Sequence, residues 1–486
     1  MADHTLKIRE GALASAGLLD ADCITQAADL IAQVADSNLE TVRVLFADQH
    51  GVLRGKTIVA SAFASIFGNG LTVTSTLLLK DTSHRTVFSV WSKDCDNVSA
   101  PMQGAGDILL VPDPGTFKIL PWAPHSAWIL CDVVYTDAVP IPFASRHVLK
   151  TALSKLHEKN IAMIVGLEVE FHIFEIVDEN LEHRHATMPS QPPLTKNLTQ
   201  GYQLLTETRY GDVENIIDEL RRNCEAMGLP VRSMEVEMGP SQFEFTFDPD
   251  TPLAHADNMV MFRTMVKEVC ARRGLHATFM CRPRVENCVS SGWHLHQSLV
   301  DASSGANLLM PDKAGEITQL ASQWIAGLLA HAGESCLLTT PTVNGYKRFQ
   351  PFQMAPDRIQ WGHDNRGAMI RALMKPGDTS SRIENRVAEP AANPYYFFAS
   401  QIISGLAGID ANLNAPPAVE TPYEGEAPSF PKNLIDAIEQ FENSALFNEQ
   451  FGTEFVKFLA HIKRAEWDRY LETVSEWEQT EYFSAL

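Results

Sequence analysis

Four stretches of the chain set ionisable side chains two residues apart: Glu168 and Glu170, Glu235 and Glu237, His294 and His296, and Arg382, Glu384 and Arg386. In an extended strand, residues i and i+2 project from one side of a sheet, so each stretch offers its charges to a single face. The intervening residues are apolar: Leu167, Val169 and Phe171 in the first, Met234, Val236 and Met238 in the second, Ile383 and Val387 in the last. Glu244, between Phe243 and Phe245, adds another acid. Taken singly, a Glu-x-Glu pair is an ordinary solvated strand face. Burying this many charges together is costly unless they pair or hold metal ions, so the set predicts an active site rather than a stabilising device. Carboxylates with an imidazole suit a hard divalent cation, Mg2+ or Mn2+, whereas zinc would usually bring Cys or more His. Downstream, Arg348, Arg366, Arg371, Arg382 and Arg386 fall in the segments NGYKRF, DNRGAMIRAL and SRIENR. Guanidinium forks match phosphate and carboxylate oxygens, so acids that hold metal beside converging arginines suggest phosphoryl transfer from a nucleotide. No GxxxxGK[ST] occurs, so the nucleotide would be held without a P-loop.

The elements that must position these groups follow from periodicity. Residues 24–35 carry Ile24, Ala27, Ala28, Ile31 and Val34 at helical spacing, and Thr41 to Val59 reads as a hairpin turning at Gln49, His50 and Gly51. Between Ala60 and Pro121 short apolar runs alternate with Gly and Pro, which predicts a small β-rich domain. Prolines 140 and 142, followed by a helical pattern from Ser145 to His157, predict a domain boundary, dividing the chain into 1–140 and 141–486. Asp212 is read as the N-cap of a helix that ends at Gly228, and residues 183–202, with three prolines and no period, as a surface loop or lid. From Phe430 onward the pattern is helical.

Composition narrows the function. A 486-residue chain with 45% hydrophobic residues can bury a large core, and a net charge of -21 excludes a general nucleic-acid binder. Eight cysteines without a CxxC pair read as reduced thiols. No basic-then-apolar leader precedes Asp20, and no apolar run reaches the roughly 18 residues of a membrane span. The expectation is a cytoplasmic enzyme with no membrane partner.

GLEVEFHIF, EMGPSQFEF, SGWHLHQSL, NGYKRF, NRGAMIR, RIENR and AANPYYFF, in that order, resemble the signature blocks of the glutamine synthetase superfamily, most densely between Gly166 and Phe398. The resemblance implies an α+β fold: an N-terminal β-grasp-like domain and a catalytic domain with a curved antiparallel sheet and helices. It also implies a ring-shaped homo-oligomer, a dodecamer. By position, Glu170, Glu237 and Glu244 resemble the ligands of a first metal ion, and Glu168, His294 and Glu384 those of a second. Arg348 and Arg386, with Gly292, resemble the glutamate-binding positions. Arg366, Arg371 and Arg382 resemble phosphate contacts, and His296 and Ser298, with Arg371 and Arg382, nucleotide-site positions. The implied chemistry is attack of the glutamate γ-carboxylate on ATP to give γ-glutamyl phosphate, which an amine then opens, with two or more Mg2+ or Mn2+ ions in the site.

Two departures from the family pattern bear on the amine. True glutamine synthetases carry a flap ending in Glu-Ala-Pro, whose Glu helps bind ammonium; here the flap reads KRFQPFQMAP, with Met354 at that position. The Asp-Gly-Ser-Ser loop is replaced by TSTLLLKDTSH, in which Asp81 is the candidate surviving carboxylate. Ammonium needs anionic or carbonyl partners, whereas a thioether offers adaptable apolar surface. With Phe349, Phe352 and Trp361 nearby, the expectation is a γ-glutamylamide-forming ligase acting on an alkyl or aromatic monoamine. True glutamine synthetase and a γ-glutamylpolyamine synthetase are the alternatives.

Overall fold

The computed structural model describes residues 2–93, 96, 98–353 and 355–486; Met354 lies outside them. The fold is α+β, with two sheets. The first sheet is mixed. Strands Thr41–Ala47 and Leu53–Val59 form the expected hairpin, with Thr41 opposite Val59, and the first of them also runs parallel to Ser126–Tyr135. Helix Ala21–Ala35 starts where the Asp20 carboxylate accepts from the Cys23 amide at 2.8 Å, and it buries Ile24, Ala27, Ala28, Ile31 and Val34. The segment after Val59 is less β-rich than its Gly and Pro spacing suggests. It opens with a helix, Phe63–Asn69, that buries Phe63, Ile66 and Phe67. Seven residues make too short a window for a helical period to show.

The second sheet has nine strands. Its main path runs Trp361–His363, Ile370–Leu373, Arg382–Ala388, Trp293–Asp301, Ile161–Asp178, Gln242–Asp250 and Val231–Val236. All neighbours on this path are antiparallel except the first two. The 18-residue strand Ile161–Asp178 is its spine, with odd-numbered residues from 161 to 171 buried and even-numbered ones partly exposed. The back of the sheet packs on helices: Trp293 meets Phe397 and Phe398 edge-on at 5.2 and 5.6 Å, from helix Pro394–Asp410. That helix begins at Asn393, whose side chain accepts from the Tyr395 amide, with Pro394 in the first turn.

Helix Glu207–Ala226 begins at Thr206, so Asp212 is an interior residue and not the N-cap. The added first turns are polar and carry an Arg209–Asp212 ion pair, which gives no apolar period to read. The expected loop at 183–202 contains a short strand, Leu194–Asn197, paired with the spine. The C-terminal region is helical as expected, from Leu434 to Tyr482.

Buried Arg146 joins the two sheets' surroundings. Its guanidinium contacts Asp113 and Asp132 from the first sheet's region at 2.8 and 3.0 Å, and Asp257 of helix Pro252–Arg272 at 2.8 Å. The seven described cysteines are free thiols, and no described helix is long and apolar enough to cross a membrane.

Candidate active site

The registers of five antiparallel strand pairs assemble one charged face. Glu235 lies opposite Glu244, and Glu244 opposite Glu170. Glu168 lies between Thr246 and His294. In the next row His296 is opposite Glu384, and Glu384 opposite Arg371. An irregularity between Trp293 and Leu295 inserts an extra residue on the facing strand, so Arg386 and Val387 share the space opposite His294. The other face carries Leu167, Val169, Phe171, Phe243, Phe245, Leu295 and Ile383, all at most 2% exposed. A slip of one residue would send these into solvent and the charges into the core, so the apolar face fixes the register of the site.

Three groups of ligand atoms fall within 4.8 Å of one another: Glu168, His294 and Glu384; Glu170, Glu244 and His294; and Glu235, Glu237 and Glu244. The first is the set expected for the second metal. The acids expected for the first metal are spread over the other two groups, which share Glu244, and Glu235 joins them. Its place beside Glu237 was visible in the sequence, although no signature block marked it. His294 stands between the groups. Its Nδ1 is 3.2 Å from Glu168 and 3.6 Å from Glu384, and its Nε2 is 3.8 Å from Glu170.

The electrostatics call for a cation. Burial, then the charge of Glu237, pushes the Glu170 carboxyl up to about 8. Burial and then the charges of Glu170, Glu168 and Glu237 raise Glu244 well above the carboxylate range, and burial raises Glu237. Burial acts in the same sense on Glu168, but hydrogen bonds with His294 and His296 outweigh it and hold that carboxyl below its ordinary value. Glu384 is likewise lowered, its burial offset first by Arg386. Burial and the Arg386 charge pull His294 down to about 4, so at neutral pH it is a neutral imidazole with a lone pair to give. Its Nε2 is buried without a hydrogen-bond partner. Crowded, partly neutralised carboxylates beside an orphaned imidazole nitrogen fit hard divalent ions such as Mg2+ or Mn2+.

The basic groups surround this face. Arg348 is 2% exposed; it donates to the Arg386 and Val387 carbonyls at 2.8 and 3.2 Å, and its Nε is buried without a partner. Gly292 lies against it: a Cβ there would come 2.5 Å from the guanidinium, and the Gly292 amide donates to Glu170 at 3.0 Å. Arg386 pairs with Glu384 and donates from Nε to the Arg366 carbonyl, while Arg371 bridges Glu384 and Asp364 at 3.0 and 2.5 Å. The Arg366 side chain is exposed. Arg382 donates from Nε to His296 Nδ1 at 3.0 Å, which leaves the imidazole proton on Nε2, 2.7 Å from Glu168. Ser298 donates to the Ser381 carbonyl at 2.6 Å. A cavity of about 640 Å3 opens from this edge, lined by Gly166, Glu168, Glu235, His296, Ser298 and Arg382 among others.

Asp81 is bound into its own loop. It accepts from the Ser83 and Arg85 amides and pairs with Arg469 at 3.1 Å. In the flap, Phe349 stacks on Phe430 at 4.7 Å, and Trp361 is 4% exposed with its indole donating to the Pro416 carbonyl. Both therefore serve packing, which leaves Phe352 as the exposed aromatic of this segment. Tyr423, in no motif, touches Phe352, and only the fold brings the two together.

The sequence model of the glutamine synthetase catalytic domain matches residues 143–482. The chain is 37% identical to the γ-glutamylanilide synthase of Acinetobacter sp, covering 94% of this chain and 95% of that one. It is 31% identical to the γ-glutamylethanolamide synthetase GlnA4 of Streptomyces coelicolor, covering 94% and 96%, and 32% identical to the glutamine synthetase of Methanosarcina mazei, covering 94% and 98%. The structure of GmaS in complex with ADP superposes with a TM-score of 0.78 at 26% identity, covering 94% of this chain and 100% of that one. The chain belongs to the glutamine synthetase family and is a ligase.

Proposed function

We propose that this ligase uses ATP to join the γ-carboxyl of L-glutamate to an organic amine, forming a γ-glutamylamide, ADP and phosphate. The observation that carries this reading is the convergence of Glu168, His294 and Glu384 within 4.8 Å on the face that opens into the 640 Å3 cavity. Glu170, Glu237 and Glu244 would hold one divalent ion and Glu168, His294 and Glu384 another, with Glu235 beside the first. Such ions, when bound, neutralise charge on a transferring phosphoryl group.

The remaining roles belong to the chain's own groups. The cavity beside His296 and Ser298 receives the nucleotide, with Arg382 orienting His296. Arg348, with its unpartnered Nε, and Arg386 take the glutamate carboxylates, and Gly292, whose lack of a side chain admits the Arg348 guanidinium, lies beside the substrate. Arg366 and Arg371 offset the charge that develops on the phosphoryl oxygens. The glutamate γ-carboxylate oxygen attacks the terminal phosphorus as the bond to ADP breaks; the amine nitrogen then attacks the acyl carbon, and phosphate leaves as the nitrogen gives up a proton to it or to solvent.

The acceptor is proposed to be an alkyl or aromatic monoamine, with Met354 on the acceptor side. Three relatives support an organic acceptor by name: a γ-glutamylanilide synthase, a γ-glutamylethanolamide synthetase and a glutamate–isopropylamine ligase from Pseudomonas sp, at 37%, 31% and 28% identity. The likeness to glutamine synthetases, 32% for that of Methanosarcina mazei, favours a second reading in which ammonium is the acceptor. ADP release compared across ammonium, monoamines and a polyamine separates the readings, with Asp81 contributing to the acceptor site only if ammonium is preferred.

The proposal includes a division into residues 1–140 and 141–486, supported by sheets confined to 41–135 and 161–388. It also includes a cytoplasmic, ring-shaped homo-oligomer of twelve copies. The exposed Trp477 and Phe483 of the C-terminal segment support association between copies.

A further inference from the structure

Phe352 has a left-handed backbone, φ 61°, and is 77% exposed. A bulky side chain is unfavourable in that conformation, and an exposed aromatic gains little burial to offset it. Its ring meets that of Tyr423, with centroids 4.8 Å apart and planes tilted by 43°. Tyr423 in turn holds two segments of the site together. Its hydroxyl donates to the Ala355 carbonyl at 3.3 Å, in the flap. Its ring and hydroxyl also lie against Gly367, where a Cβ would stand 3.2 and 3.1 Å from them and 2.6 Å from the Pro422 ring. The residue before Gly367 is Arg366, whose carbonyl accepts from Arg386. Tyr423 thus joins the flap, on both sides of position 354, to the turn beside the proposed glutamate clamp. Burial raises its phenol, and Asp357, Arg386 and Arg348 are the charged groups that act on it.

Resting on the ligase reading above, we propose that Phe352 and Tyr423 form the wall that receives the substituent of the acceptor amine, and that this wall suits an arylamine. Two tilted rings offer faces and edges to a flat aromatic substituent. Arg348 and Arg386 are the positive charges that act on Tyr423, and although Glu384 offsets Arg386, the positive charge left there disfavours an alkylammonium cation. An arylamine, whose nitrogen lone pair is delocalised into its ring, is unprotonated at neutral pH and meets no such repulsion. Asp357, one oxygen of which is 3.7 Å from Arg358 and the other buried without a hydrogen-bond partner, is the carboxylate that acts on Tyr423.

The test is kcat/KM for aniline and for methylamine with the full-length native enzyme and its Tyr423→Ala, Tyr423→Phe and Phe352→Ala variants, together with the KM for glutamate. The native enzyme is expected to favour aniline. Each alanine variant is expected to lower that preference by about tenfold with the glutamate KM changed less than threefold, and Tyr423→Phe to retain the preference. Because Phe352 is exposed, its variant informs even where Tyr423→Ala fails to fold. A native preference for methylamine, or equal losses for both amines in Phe352→Ala, would overturn the inference while leaving the ligase reading intact. Absence of glutamate-dependent ADP release with every amine would instead remove the ligase reading itself.

Discussion

Metal binding at the acid face is predicted to be tightly linked to pH. Glu170, buried beside Glu237, is held up to about 8 in the metal-free protein, against an ordinary value of 4.5. At pH 7 it is therefore ~0.9 protonated, and burial with the charges of Glu170, Glu168 and Glu237 raises Glu244 in the same direction. A divalent ion takes the ionised carboxylates, so binding must expel these protons. The expected stoichiometry at pH 7 is about one proton released per site filled, and the apparent affinity should weaken by up to about tenfold for each unit of pH lost between 8 and 6. The linkage has a counterpart in stability. A carboxyl whose folded value is raised keeps its proton between 4.5 and 8 while the unfolded chain has lost it, so the metal-free protein loses stability as pH rises through that window. Added metal should restore it most at the alkaline end. Calorimetric titration of Mn2+ into metal-free protein, in two buffers of different ionisation enthalpy, counts the protons directly. Binding with no proton release and an affinity unchanged between pH 6 and 8 would refute the claim that Glu170 and Glu244 are crowded ligands of a common site.

Three substitutions probe other parts of the argument. Glu384→Gln should lower glutamate-dependent ADP release by at least about 100-fold while its amide oxygen still accepts from one of Arg371 and Arg386, with melting temperature as the control. Glu384→Ala would instead remove the acid from both Arg371, which keeps Asp364, and the buried Arg386. Arg146→Ala, which leaves Asp113 and buried Asp257 without their cation while Asp132 keeps Lys150, should destabilise the fold by about 3–5 kcal/mol in denaturant titrations. Met354→Glu should raise the use of ammonium relative to the native amine by about tenfold in ADP-release assays; an unchanged ratio would remove the flap argument.

The charged face was legible in the sequence because a period of two is a property of the strand itself. Glu168 and Glu170 on the spine, His294 and His296 beside it, and Glu384 beyond them needed only the alternation with Leu167, Val169 and Ile383 to be assigned to one side. What the alternation does not contain is the stagger between strands. That stagger brings Glu235 opposite Glu244 and sets His294 between two groups of acids, and it is decided by packing on the far face. Short or polar elements were missed for a related reason. Phe63–Asn69 is too brief to show a helical period, and the first turns of Glu207–Ala226 face solvent. Trp361 was read as a pocket residue from its composition alone, yet the Pro416 carbonyl and the core claim it. Tyr423 could not have been found at all, because its partners Phe352, Ala355 and Gly367 are more than fifty residues away and belong to no shared motif.

The proposed function is tested most directly by measuring ADP and phosphate release with ATP, Mg2+, L-glutamate and a panel of acceptors from ammonium through alkylamines to arylamines and a polyamine. Release that requires glutamate, and a higher kcat/KM for an organic monoamine than for ammonium, is the predicted result. A best rate with ammonium, or no glutamate-dependent release with any acceptor, would contradict it.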